Sequence, residues 1–170
     1  MGTAGYIGFY YKGKFYLIYI YYEYIDGVGL NIIREVIKAL NSGRILAWKR
    51  LLANIKLFDD DSIPTSSDED LLSYIEKKFS IDKLQFYNRS WSEHFKNCLD
   101  KIKDITLETI FDIGFNIDSN NGPDKFINEE EYANEYTYVV NFDTETFDFY
   151  LGDTKIMETR LSFYLHNNQI

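Results

Sequence analysis

The chain has 170 residues, of which 45% are hydrophobic and 18% aromatic, and its net charge is −9. This size and composition predict one domain, residues 1–170, with ample material for a core. The longest apolar runs are too short for a membrane-spanning helix, which is therefore excluded. A lone Cys98 excludes an internal disulfide framework, and with no secretory signal at the start it favours a cytoplasmic location.

Charge is unevenly distributed along this acidic protein. Residues 1–56 contain eight Lys or Arg and three Asp or Glu, a net of +5, which leaves −14 for the remainder. An acidic exterior repels the phosphate backbone, so nucleic-acid binding is not expected, although the basic segment 34–56 keeps that alternative open. A split charge distribution also suits binding of an acidic partner or head-to-tail self-association. The simplest interpretation is that the charges only keep a tyrosine-rich protein soluble.

The first predicted element is an aromatic β-hairpin. Residues 6–11 and 15–24 are rich in Tyr, Phe and Ile, which favour strands, and Lys12-Gly13-Lys14 between them supplies a tight turn. Strand side chains alternate between faces, so the tyrosines of this hairpin cannot all enter one core. We therefore predict an interface that includes Tyr10, Tyr16 and Tyr22.

Helices are predicted next. Apolar residues recur at helical spacing over 32–40, and Asn41-Ser42-Gly43 is typical of a helix end. A basic amphipathic helix follows, with an apolar stripe that includes Trp48 and Leu52. Such a helix usually packs on its own sheet, although a membrane surface or a partner groove also suits it.

The middle of the chain predicts a loop and further short helices. Residues 59–70 are acidic, but Pro64 and Asp70 stand where an EF-hand loop requires Gly and Glu, so we expect no calcium site. Short helices are predicted from 71 to 79, from about 90 to 99, and from 107 to Gly114.

The end of the chain predicts a second hairpin. Residues 136–142 and 147–151 form two strands around the turn Asp143-Thr144-Glu145, and 156–164 suggests one more strand. The prediction is an α+β fold in which an antiparallel sheet, built from the N- and C-terminal hairpins, is covered by helices from residues 30–113.

Few residues suggest chemistry. His94 and Cys98 are four apart, but no spacing supplies the other ligands of a zinc site, so neither a metal nor a cofactor is expected. Gly27-Val28-Gly29 lacks the third glycine and the Lys of phosphate-binding loops. No catalytic residue is assigned. The hypothetical cleft consists of the following residues: Tyr21, Glu23, Asp26, Gly27, Gly29 and His94.

Several N-terminal segments form a recognisable pattern: MGTAG at 1–5, Gly8-Phe9, GKFY at 13–16, Tyr19, and GVG at 27–29. This pattern resembles a family of uncharacterised proteins from large DNA viruses, phages and some microbes. Its members open with MGTRG, continue GFRxxGKxY and then carry a YNHxDSYPxGLG-like segment. Later landmarks, Trp91, Gly114 and the segment 135–143, extend the resemblance over most of the chain.

One departure from the family pattern is chemically informative. Where relatives carry Asn-His-x-Asp, this chain has Ile20-Tyr21-Tyr22-Glu23. If that cluster transfers protons in relatives, the general base is lost here and Glu23 remains as the carboxylate. The resemblance implies a viral protein of the host cytoplasm or virion. We expect a non-enzymatic interaction or virion-associated protein that binds a protein partner or self-associates; the alternative is a hydrolase-like enzyme or its degenerate relative.

Overall fold

The computed structural model describes residues 3–22, 28–57, 65–78, 105–113, 115–116 and 135–165. The strands are β1 (Thr3–Tyr11), β2 (Lys14–Tyr22), β3 (Lys56–Leu57), β4 (Phe115–Asn116), β5 (Tyr136–Asn141), β6 (Thr146–Leu151) and β7 (Thr154–Arg160). The helices are α1 (Val28–Ser42), α2 (Arg44–Leu51), α3 (Ser66–Lys78), α4 (Leu107–Ile113) and α5 (Leu161–Leu165), with a 3₁₀ turn at Leu52–Asn54.

Five strands form one sheet in the order β2-β1-β5-β6-β7. The N- and C-terminal hairpins therefore share a sheet and helices pack on it, which confirms the predicted α+β fold. The hairpins join through β1 and β5, which run parallel, so the sheet is mixed, while each hairpin is antiparallel within itself. Parallel neighbours need a long crossover, and the stretch of chain between β1 and β5, which includes α1 to α4, is long enough to supply one.

The turn of the first hairpin matches its sequence prediction. Lys12 and Gly13 have φ of 50° and 76°, the left-handed backbone of a two-residue turn that suits the twist of the strands. The Asp143 carboxylate, from the turn between β5 and β6, accepts the N–H of Lys12 at 2.8 Å and that of Gly13 at 3.0 Å. One side chain thus fastens the second hairpin to the first.

Replacing Asp143 with alanine is expected to lower the free energy of unfolding by about 1 kcal/mol, since two charge-assisted bonds are lost at an exposed site. Asp143→Asn keeps one acceptor oxygen and should lose less. Urea unfolding followed by circular dichroism measures both variants. Equal stability of the alanine variant and the parent would show that these two hydrogen bonds do not hold the hairpins together.

The main core lies between the sheet and the described helices. Phe9 is at its centre, with its ring centroid 5.4 Å from Trp48 of α2, 5.2 Å from Phe111 of α4 and 5.8 Å from Phe142. Trp48 is 1% exposed, so the amphipathic helix predicted from its sequence packs on its own sheet. Gly43, with φ of 77°, separates α1 from α2 at the predicted helix end.

The opposite face of the sheet has its own, smaller buried cluster of Tyr6, Phe15, Leu17 and Val139. The fully buried carboxylate of Asp148 also lies on this face, because its strand neighbour Val139 belongs to the cluster. Both faces of the sheet are therefore buried near its middle.

One predicted element differs from the structure, and another lies outside the described residues. The last predicted strand, 156–164, is a strand only to Arg160, after which Leu161–Leu165 form α5. Leu161 and Tyr164 are spaced for one helical face and both are buried, which a continued strand would not allow. The helix predicted at about 90–99 lies outside the described residues. None of the helices in the described ranges has the length and apolarity to cross a bilayer.

Candidate functional site

The hypothetical cleft stays a prediction. Glu23, Asp26, Gly27 and His94 lie outside the described residues. Gly29 is in the first turn of α1, and Tyr21 is near the end of β2, where only the backbone is described.

The predicted tyrosine interface also stays a prediction. Tyr10 is half-buried, and its ring lies 4.6 Å from Phe15 in the smaller cluster. Tyr16 is half-buried on the other face against the main core, where burial and the neighbouring Tyr11 raise the pKa of its hydroxyl. Tyr22 ends β2, but its side chain lies outside the described part of the chain. Tyr10 and Tyr16 therefore do not share one surface.

Exposed apolar side chains concentrate at the other end of the sheet. Eight large apolar residues are exposed in the described ranges, and five of them belong to the segment 151–165. These five define the C-terminal edge surface: Leu151, Ile156, Met157, Phe163 and Leu165. Ile156 is 57% exposed and Phe163 is 56% exposed. Exposed large apolar side chains gathered in one segment of the chain are typical of interaction sites.

Strand β7, which is an edge strand of the five-stranded sheet, lies at the centre of this surface. Within the described residues β7 pairs with β6 alone, and six of its seven residues are exposed. No other described strand pairs with its outer N–H and C=O groups, and such groups on an edge strand are suited to pairing with another strand.

A β-bulge interrupts β7. Lys155 stands opposite Tyr150, and Met157 stands opposite the preceding residue, Phe149, so Ile156 is an additional residue in β7. The bulge places Lys155 and Glu158 on the same face, although residues three apart in a regular strand face opposite sides. Lys155 Nζ accordingly lies 3.6 Å from a Glu158 oxygen.

A buried network holds β7 in place. The Asp148 carboxylate, 0% exposed, accepts hydrogen bonds from the Thr146 hydroxyl at 2.7 Å and the Asn141 amide at 3.2 Å. Lys155 Nζ lies 3.4 Å from Oδ2 of Asp148, the oxygen that also accepts from Asn141. Partial burial acts to lower the pKa of Lys155, but the Asp148 carboxylate, together with Tyr150 and Glu158, outweighs that effect, and the net shift is upward. Lys155 thus stays charged and fixes the edge strand to its neighbour.

An open groove of about 810 Å³ lies beside the C-terminal edge surface, between α1, α2, the β5–β6 turn and α5. Its apolar lining is Leu40, Ile45, Leu46, Phe142, Leu161 and Leu165. Its charged lining is Lys49, Glu145, Glu158 and Arg160. A groove with apolar walls and a mixed charged rim is suited to side chains of another molecule.

Two carboxylates elsewhere have pKa values shifted in opposite directions, a pattern that acid–base enzymes use. Burial raises the pKa of Glu35, and the Arg44 guanidinium lowers that of Glu108. Glu35 accepts the N–H groups of Leu107 and Glu108 at 2.8 and 3.1 Å. Glu108 accepts from Arg44 Nε and Trp48 Nε1, both at 2.6 Å. Both carboxylates therefore fasten α4 to α1 and α2, which favours a structural role for these two side chains.

Within the described ranges, no group of three or more His, Cys, Asp or Glu side chains is arranged to hold a metal ion. The fold and its surface define an α+β protein with an exposed, bulged sheet edge beside an open groove. No protein-family model, curated protein or solved structure matches the chain.

Sequence reasoning did not find this surface. One signal was available, because Ile156-Met157 places two apolar residues side by side and so breaks the alternation expected of a half-buried strand. The groove had no local signal, since its lining comes from segments far apart in the chain.

Proposed function

We propose that this is a non-enzymatic interaction protein that binds a protein partner through its C-terminal edge surface. The observation behind the proposal is the exposure of Ile156 and Met157 on an edge strand, with Phe163 on the helix that follows. Natural edge strands are usually short, charged or covered, because an open apolar edge recruits other strands. β7 carries Lys155, Glu158 and Arg160, but it also keeps Ile156 and Met157 exposed within the described part of the chain, and this apolar pair is suited to a partner.

The rest of the surface supports the same function. The groove beside α5 offers apolar walls to a partner side chain, and its rim offers both signs of charge. Interfaces commonly combine such an apolar centre with a polar border. The resemblance of the N-terminal segments to a viral family supports a role in the host cytoplasm or in the virion, and we include that location in the proposal.

Site-specific photo-crosslinking tests the function even where the identity of the partner is unknown. A benzophenone amino acid at Met157 or Phe163 is expected to give discrete protein adducts in cells in which the protein is naturally made. The same probe at Leu30 of α1 is the matched control, because Leu30 is 41% exposed and Met157 is 40% exposed.

The proposal requires adducts at Met157 and Phe163 and none at Leu30. If all three positions gave no adduct, or if Leu30 gave the same adducts, the C-terminal edge surface would not be the binding surface.

A further inference from the structure

We infer that the partner is a second copy of this chain and that β7 pairs antiparallel with β7 of that copy, joining two five-stranded sheets into one. This inference rests on the proposed function, because it names the partner of the same surface. It follows from the charge pattern, the bulge and the exposure of β7.

The edge segment from Asp153 to Arg160 reads Asp-Thr-Lys-Ile-Met-Glu-Thr-Arg, and its charges are reversed about its midpoint. If two such segments lie antiparallel with that midpoint on a two-fold axis, each residue meets a complementary one. The pairs, each formed twice, are Asp153 with Arg160, Thr154 with Thr159, Lys155 with Glu158, and Ile156 with Met157. Opposite charges and apolar residues at facing positions stabilise antiparallel strands.

The bulge makes this register compatible with a continuous sheet. A two-fold axis perpendicular to the sheet keeps each face on its own side, so directly opposed residues must share a face. In a regular strand Lys155 and Glu158 would lie on opposite faces of the sheet, because they are three residues apart. In β7 Lys155 and Glu158 lie on the same face, because they stand opposite Tyr150 and Asp148, which are two residues apart in β6 and so share a face.

Neighbouring registers are disfavoured. A shift of one residue in either direction opposes residues from different faces of the sheet. A shift of two places Lys155 opposite Arg160 in one direction and Asp153 opposite Glu158 in the other. Like charges at facing positions destabilise strand pairing. A lysine and a bulge often protect a sheet edge, but here the lysine has a complementary carboxylate in the second copy.

Charge reversal at the two ends of the segment tests the pairing. Arg160→Asp opposes two carboxylates twice in a homodimer, and Asp153→Arg opposes two guanidinium groups twice. Both residues are exposed, so the fold should persist, and circular dichroism at low protein concentration checks it. Lys155 is left intact, because it also contacts buried Asp148.

At low salt each single reversal is expected to weaken dimerisation about ten- to a hundredfold, since two attractive pairs become repulsive. An equimolar mixture of the two variants should recover the dimer, because every end pair in the mixed dimer joins Asp to Arg. Light scattering coupled to size-exclusion chromatography measures the mass in each case.

The possible results separate this inference from the function on which it depends. A parent dimer that neither reversal weakens, or folded variants whose mixture stays monomeric, would overturn the β7 pairing. A monomeric parent with photo-adducts to a different protein at Met157 and Phe163 would also overturn it and leave the proposed function standing. A monomeric parent without adducts at those positions would overturn both.

Discussion

Replacing Trp48 with alanine is expected to lower the free energy of unfolding by about 3–5 kcal/mol, a large share of the roughly 5–15 kcal/mol that stabilises a typical domain. Trp48 is 1% exposed and lies against Phe9 and Phe111, at centroid distances of 5.4 and 6.2 Å. Its indole N–H also donates to Glu108, which binds Arg44 as well. The substitution therefore opens a cavity and removes one bond that holds α4 to α2.

Urea unfolding of three variants separates these effects. Trp48→Phe keeps part of the ring packing and loses the N–H donor, so its stability should fall between those of the parent and the alanine variant. Leu46→Ala is the control on the same helix, because Leu46 is 65% exposed and its loss should cost within about 0.5 kcal/mol. A loss below about 1 kcal/mol for Trp48→Ala would contradict a core centred on Phe9 and Trp48.

The second large effect is expected at Gly8. A Cβ at this position in β1 would fall on the carbonyl oxygen of Tyr16, 2.8 Å from its carbonyl carbon and 2.9 Å from Leu17 Cα. These are backbone atoms of the neighbouring strand, so no side-chain movement relieves the overlap. Gly8→Ala should therefore force β1 and β2 apart and cost at least about 3 kcal/mol.

Gly13 is the matched control in the same hairpin. It has φ of 76°, and a Cβ there meets nothing within 4 Å. Gly13→Ala should cost only the left-handed backbone penalty of about 1–2 kcal/mol. The midpoints of urea unfolding rank the two variants. If the alanine at position 8 were tolerated as well as the one at 13, β1 and β2 would not approach as closely as the structure shows.

The sequence predicted the parts of the fold that depend on local chemistry. The first hairpin follows from aromatic strand formers around Gly13, and the break between α1 and α2 follows from Gly43. The second hairpin follows from alternation around Asp143-Thr144-Glu145. Each signal lies within a few residues of the structure it specifies, so one stretch of chain is sufficient.

The parallel junction of the hairpins could not be predicted in this way. Pairing of β1 with β5 joins residues more than 130 positions apart, and its direction is set by the crossover between them. The position of β7 at the sheet edge depends on the same topology. The reversed charges of 153–160 are visible in the sequence, but they indicate strand pairing between two copies only when the strand is known to be an exposed edge.

The tyrosine interface shows a further limit. Alternation predicts that the tyrosines of the hairpin are divided between its two faces, but it does not say which face is covered. Both rings are half-buried, because each face of this sheet has its own apolar cluster. The exposed apolar side chains lie instead at the other edge of the sheet, where they include Ile156 of β7 and Phe163 of α5.

The mass of an equimolar mixture of the Arg160→Asp and Asp153→Arg chains, measured by light scattering at low salt, is the most direct test of self-association through β7. We expect each variant alone to have the mass of one chain and the mixture to have the mass of two. A mixture that retains the mass of one chain, under conditions in which the parent is dimeric, would contradict pairing of the two edges.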